Sequence, residues 1–152
     1  MKYIFAAVAM MGLAVSAGAA DKPNFSGNWK MNVSKSDYGQ FPPPDSFIRT
    51  IKHSEPSISI YEEQKGPNTQ PPSTREMTTD GKEASSNING ADVKLTATWE
   101  GTALTAKTVI DNFGVAFIDK MTLSADGKEL TSMVQIESAQ GNAAIKVVFD
   151  KQ

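Results

Sequence analysis

The sequence contains no cysteine and only one histidine, His53. The absence of cysteine excludes a disulfide framework, thiol redox chemistry and lipidation behind a leader peptide. A nucleophilic triad is not indicated, because His53 is accompanied by no cysteine and no Gly-x-Ser-x-Gly motif. The sequence also has no group of residues with the spacing of a zinc or calcium site. We therefore expect a non-catalytic protein with no metal and no cofactor.

The sequence also lacks any run of basic residues. Without Lys2, which belongs to the predicted leader described below, the 15 basic residues become 14 against 17 acidic ones, a net charge of −3. Such a dispersed, slightly acidic balance provides no electrostatic surface for nucleic acid or anionic lipid. We exclude nucleic-acid binding.

Large aliphatic residues are scarce. Leu, Ile, Val and Phe make up about a fifth of the chain after residue 20, near the level at which a packed core becomes thin. No long helical period occurs either. The interior is therefore expected to be small, partly polar or hollow.

The amino terminus has the pattern of a secretory signal peptide. Lys2 precedes an apolar run from Tyr3 to Val15, and small residues follow up to Ala20. A membrane anchor would need roughly 20 continuous apolar residues, and this run is shorter. We predict a signal peptide at residues 1–20, cleaved after Ala19 or Ala20, and a single domain at residues 21–152. The mature protein would be secreted or periplasmic, with no integral membrane segment.

The first segment of the mature chain reads as a half-buried strand. Alternation places Phe25, Gly27, Trp29 and Met31 on one face and polar side chains on the other. The largest ring, Trp29, is therefore expected to point inward.

Turn signals divide the rest of the chain into short alternating segments. Asp-Gly, Asn-Gly and similar pairs recur roughly every 10 to 14 residues, and they favour hairpin turns. The predicted strands after the first one lie at about 47–54, 58–62, 73–79, 82–88, 92–99, 102–110, 115–124, 129–137 and 142–150.

The predicted fold is all-β. About 8–10 sequential hairpin strands favour an antiparallel up-and-down β-barrel, since closure removes exposed sheet edges. A β-sandwich is the alternative, because the same alternation serves both architectures.

Both ends of this mature chain resemble the calycin superfamily, which comprises the lipocalins and the fatty-acid-binding proteins. The segment Asn24–Met31 resembles the opening strand, with its Gly-x-Trp motif and following Lys, and Val147–Lys151 resembles the closing strand of the fatty-acid-binding branch. In character the chain is most similar to short, secreted, uncharacterised lipocalin-like bacterial proteins. The resemblance implies a barrel in which Gly27 and Trp29 are structural residues.

The chain also departs from that pattern. The segment Val33–Asp45 is too short and too rich in proline for the two-helix lid of the fatty-acid-binding proteins. Val147 and Phe149 occupy the positions of the Arg and Tyr that grip a ligand carboxylate in that family. This argues against carboxylate capture by that route.

Candidate site residues are polar side chains on otherwise apolar strand faces. A buried charge needs a partner, so we hypothesise that Arg49 pairs with Asp119 or Glu62 inside the barrel and orients a small molecule. The alternative is that these faces lie near the barrel rims, where charge meets solvent. The candidate ligand-binding residues are Arg49, His53, Glu62, Asp119, Phe47, Trp99, Phe117 and Met121.

Two functions follow from this interpretation. The first is a secreted, monomeric barrel that binds a small apolar or amphipathic molecule. The second is a cell-envelope interaction or structural protein with a filled barrel, acting through the loops at residues 38–44 and 65–72.

Overall fold

The computed structural model describes residues 21–152. The predicted signal peptide, residues 1–20, lies outside the described residues. Within the described range, no helix is long and apolar enough to cross a membrane.

Ten strands and two short 3₁₀ helices form this part of the chain. The strands are β1 (Gly27–Met31), β2 (Ser46–Ser54), β3 (Ser57–Lys65), β4 (Ser73–Thr78), β5 (Ala84–Ile88), β6 (Ala91–Glu100), β7 (Ala103–Ile110), β8 (Val115–Leu123), β9 (Glu129–Ser138) and β10 (Gly141–Lys151). The 3₁₀ helices are η1 (Val33–Lys35) and η2 (Asp111–Phe113).

All ten strands belong to one antiparallel sheet. Their spatial order is β4-β3-β2-β1-β10-β9-β8-β7-β6-β5. β1 lies between β2 and β10, with Trp29 opposite Arg49 on one side and Lys151 on the other. The predicted antiparallel barrel is confirmed and the sandwich alternative is wrong, because the first and last strands pair directly.

The barrel is nearly closed, and its seam lies between β4 and β5. These strands form the two ends of the sheet order. At one end of the seam, Asp80 pairs with Thr98, and the Gly81 N–H donates to the Ala97 carbonyl at 2.9 Å. These contacts hold the β4–β5 connection against β6. At the other end, the Asn89 side chain donates to the Pro71 carbonyl at 3.1 Å.

The packed core fills one end of the barrel, which we call the closed end. Trp29 is fully buried, and its Nε1–H donates to the Phe25 carbonyl at 3.0 Å. The inward position predicted for this indole is confirmed. The other large, fully buried side chains include Phe25, Leu95, Leu104, Met121, Leu130 and Phe149.

Gly27 makes room for this indole. Its φ of +150° is one that residues with a Cβ rarely adopt. A Cβ here would lie 3.0 Å from Lys151 Cε and 3.4 Å from Trp29 Nε1. A larger residue would therefore be strained and would press on the core.

The β1–β2 connection adds to the barrel wall and forms no helical lid. After β1, the Asn32 N–H donates to the Val148 carbonyl, and Asp37 forms an antiparallel bridge with Lys146. The chain thus continues along the edge of β10 before it crosses to β2. The opposite end of the barrel, where the β3–β4, β5–β6, β7–β8 and β9–β10 turns lie, is called the open end.

Candidate functional site

A cavity of about 630 Å³ occupies the barrel near its open end. Most of its walls are apolar side chains from seven strands and from η2. The main apolar lining residues are Phe47, Ile88, Val93, Ile110, Phe113, Phe117, Val134, Ile136, Ile145 and Val147.

Four charged side chains lie at the base of this cavity and form what we call the charged network, Arg49, Glu62, Arg75 and Asp119. Arg49 on β2 and Glu62 on β3 are direct cross-strand partners. Arg49 donates to Glu62 Oε1 from Nε at 2.9 Å and from Nη2 at 2.5 Å. Arg75 on β4 donates to the same oxygen at 3.1 Å.

The network also crosses the barrel interior to β8 and β9. Arg49 Nη2 donates to Asp119 Oδ2 at 3.0 Å, and Nη1 donates to the Ser132 hydroxyl at 2.7 Å. Arg75 Nη2 lies 3.9 Å from Asp119 Oδ2. The predicted pairing of Arg49 with Asp119 or Glu62 is thus observed with both acids, and the rim interpretation does not fit, since Arg49 is only 2% exposed.

Two aromatic rings pack against Arg49. Its guanidinium carbon lies 4.9 Å from the centre of the Phe149 ring and 5.6 Å from that of Phe47. The two rings meet edge to face, with centroids 5.0 Å apart. A guanidinium over an aromatic face is favourable, so these rings help to hold Arg49 in place.

The charged forms of the network stabilise one another. Burial disfavours the charged form of Glu62, but Arg75 and Arg49 outweigh it and hold the pKa of Glu62 below its ordinary value. Burial likewise opposes the charge on Arg49, and Asp119 and Glu62 outweigh it and raise the pKa of Arg49. Burial also raises the pKa of Tyr38 to about 12.

The structure places the predicted ligand-binding residues at two levels of the barrel. Phe47, Phe117 and the acids of the network line the cavity, and Met121 lies directly beneath, with its sulfur 3.5 Å from Arg49 Nη1. His53 and Trp99, which the sequence predicts as ligand-binding residues, do not line this cavity. Both lie at the closed end.

His53 and Trp99 instead belong to a structural cluster around Glu55. The Phe25 N–H donates to His53 Nδ1 at 3.2 Å, which leaves the ring proton on Nε2, facing Glu55 at 2.7 Å. Trp99 Nε1 and the Thr79 hydroxyl also donate to Glu55, at 3.0 and 2.7 Å. Partial burial disfavours the charged form of Glu55, but these donors outweigh it and lower the pKa of Glu55. The cluster ties β2, β6 and the end of β4 together.

Arg75 is the main site residue that the sequence interpretation missed. Its signal was present, because alternation in Ser73–Thr78 puts Arg75 on the same face as Met77, which is buried. Alternation also places Thr108, which accepts from Arg75 Nη1 at 3.4 Å, and Ser132 on inward faces, but an uncharged hydroxyl there does not by itself indicate a site.

A second depression of about 750 Å³ lies beside the closed end of the seam. It is larger than the barrel cavity, but it opens widely to solvent. Exposed Ser, Lys and Glu side chains of β2, β3, β4 and the β4–β5 connection form much of its wall. The charged network does not reach it, so we regard the barrel cavity as the candidate site.

The central acid of the network can be tested by Glu62→Gln, which keeps the shape of the side chain and removes its charge. We expect a loss of about 3 kcal/mol in the free energy of unfolding at neutral pH, because two buried guanidinium groups would share one carboxylate. Since the pKa of Glu62 is lowered on folding, its stabilisation is present above the ordinary value of 4.5 and is lost as the pH falls below it. The variant should therefore lack this part of the acid destabilisation. Urea unfolding at several pH values measures both effects.

Glu100→Gln is the matched control, since it makes the same change in net charge. Glu100 is exposed and pairs with Lys120 at 2.7 Å on the outer surface. Its loss should cost less than about 1 kcal/mol. Equal unfolding midpoints and equal pH profiles for the two variants would contradict a stabilising role for the network.

Comparison with known proteins shows the fold alone. No family model and no curated protein sequence matches the chain. Among solved structures, a secretory abundant heat-soluble protein from Ramazzottius varieornatus is similar with a TM-score of 0.67 and 13% identity, covering 84% of this chain and 95% of that one.

Two ligand complexes have the same architecture. Zebrafish ileal bile acid-binding protein complexed with cholic acid has a TM-score of 0.60 and 20% identity, covering 84% of this chain and 98% of that one. A Schistosoma mansoni fatty acid binding protein in complex with arachidonic acid has a TM-score of 0.57 and 13% identity, covering 84% and 96%. The predicted closeness to secreted bacterial proteins finds no support among these three structures. What they establish is that the chain has the barrel fold of the fatty-acid-binding proteins.

Proposed function

We propose that this protein binds a small, mainly apolar molecule with a polar head group inside its barrel, and that it does so without catalysis. The observation that carries this proposal is the 630 Å³ cavity, with mainly apolar walls and four charged groups converging at its base. Ligand sites typically measure about 300–1,000 Å³ and have this composition.

The shape of the interior supports binding from the open end. The closed end is filled by the core around Trp29, while the charged network forms a floor across the barrel. An apolar tail would lie against side chains such as Ile110 and Ile145, and a head group would reach Arg75 and Asp119. Removing apolar surface from water on both partners is the expected driving force.

The structural neighbours support the same proposal. The zebrafish protein is named for bile acid binding and the Schistosoma protein for fatty acid binding, and neither is named for catalysis. The alternative function required a filled barrel acting through its loops. Its premise is not met, because the cavity occupies the upper interior.

The proposed setting is outside the cytoplasm. The pattern of Lys2, the apolar run and the small residues up to Ala20 supports export. A barrel that pairs most of its own strand edges also supports a monomer.

The mass of the protein recovered from its host should correspond to a chain beginning at Ala20 or Asp21. A retained leader would contradict export.

Binding can be tested with Nile red, an uncharged dye whose fluorescence rises and shifts to the blue in apolar surroundings. We expect saturable binding to the wild-type protein. Val134→Trp adds an indole to the cavity wall beside Asp119 and should weaken Nile red binding at least about tenfold, through steric exclusion. Fluorescence titration measures both affinities.

Val33→Trp is the matched control for this change. Val33 is 56% exposed in η1, outside the cavity, so the variant should bind Nile red like the wild type. Ile145→Trp provides a second cavity-filling variant, and circular dichroism checks that each variant is folded. A wild-type protein that does not bind Nile red, or two folded cavity-filling variants that bind it normally, would contradict the proposed function.

A further inference from the structure

The cavity lining is electrically balanced. Its charged side chains are two guanidinium groups, Arg49 and Arg75, and two carboxylates, Glu62 and Asp119, which sum to zero. Arg49 contacts both acids, and Arg75 contacts Glu62 at 3.1 Å. Neither arginine is therefore left as a free positive charge that would attract an anionic ligand.

The same network contains one unused acceptor and one unused donor. Within residues 21–152, Asp119 Oδ1 and Arg75 Nε have no hydrogen-bond partner, although both atoms are buried. The two side chains are only 4% and 9% exposed, and both line the cavity. Arg75 Nη2 lies 3.9 Å from Asp119 Oδ2. The two side chains that carry the unused atoms are therefore neighbours. Buried polar groups of native proteins are rarely left in this state.

Head groups of different charge would affect this network differently. A carboxylate would leave the buried network with an excess negative charge, because the two arginines already balance the two acids. An ammonium group would leave it with an excess positive charge. In both cases a buried charge would lack a counter-charge, which is strongly unfavourable. A hydroxyl group changes no charge. A small side-chain rotation that turns the two buried atoms toward the cavity would let it donate to Asp119 Oδ1 and accept from Arg75 Nε.

We infer that the cavity selects molecules with an apolar tail and an uncharged head group that both donates and accepts hydrogen bonds, such as a long-chain alcohol or primary amide. This inference rests on the proposed function, because it specifies which ligands the same cavity binds. Asp119 and Arg75 are the selecting residues, and the apolar wall above them holds the tail.

The test compares three compounds with the same tail, dodecanol, dodecanoate and dodecylamine, as competitors of Nile red at neutral pH. We expect dodecanol to bind at least about tenfold more tightly than either charged compound. A smaller preference, or a preference for dodecanoate or dodecylamine, would overturn the inference. Failure of all three to displace bound Nile red would overturn it as well.

A charge change in the network should shift this ranking. Asp119→Asn removes one negative charge and leaves an excess positive charge on the arginines. Dodecanoate should then bind more tightly than it does to the wild type, and dodecylamine more weakly. Glu100→Gln changes the net charge equally but lies on the outer surface, so it should keep the wild-type ranking. An equal shift in both variants would overturn a local role for Asp119.

The outcomes separate the two proposals. If the wild-type protein does not bind Nile red, the proposed function fails and the inference fails with it. If Nile red binds in the cavity but the charged compounds compete as well as dodecanol, the inference alone fails. The wild-type ranking decides the matter even if Asp119→Asn does not fold.

Discussion

The interior of this barrel is organised by the pairing of buried charges. Arg49 on β2 reaches Glu62 on the neighbouring strand and Asp119 on β8, across the barrel. A guanidinium that is 2% exposed would be very unfavourable without these partners. Glu62 in turn satisfies Arg75 on β4. The four side chains therefore fix how the wall formed by β2, β3 and β4 faces the wall formed by β8 and β9.

This network also separates the two halves of the interior. Below it, Phe149, Met121 and Trp29 fill the barrel, and the Glu55 cluster holds the closed end of the seam. Above it, aliphatic and phenylalanine side chains line open space. One half of the interior is thus packed, and the other half remains available to a ligand. The same division explains why a polar floor and apolar walls meet in one cavity.

Sequence patterns were sufficient for the fold and for part of the site. Alternation identified the inward faces, and turn signals identified the hairpins, so the barrel and the inward positions of Arg49, Glu62 and Asp119 followed. Alternation reports the face of a strand, but it does not report the level of a residue along the barrel axis. For that reason alternation alone does not separate His53 from Arg49, although His53 lies four residues further along β2, at the closed end.

The partners within the network depended on strand register. Asp119 meets Arg49 because β8 faces β2 across the barrel, a relation between strands that are far apart in sequence. Ser132 and Thr108 join the network for the same reason, and their inward positions alone do not identify their partners. Alternation is sufficient to predict that Arg75 points inward, since it shares a face with the buried Met77.

The most direct test of this account is a crystal structure of the protein with a long-chain alcohol that carries bromine at the end of its tail. We predict an anomalous bromine signal near Ile110 and Ile145 at the open end, with the hydroxyl oxygen within hydrogen-bond distance of Asp119 and the four charged side chains still paired. A bromine signal outside the barrel, or in the depression beside His53 and Met77, would contradict the account. An upper interior filled by side chains would contradict it too.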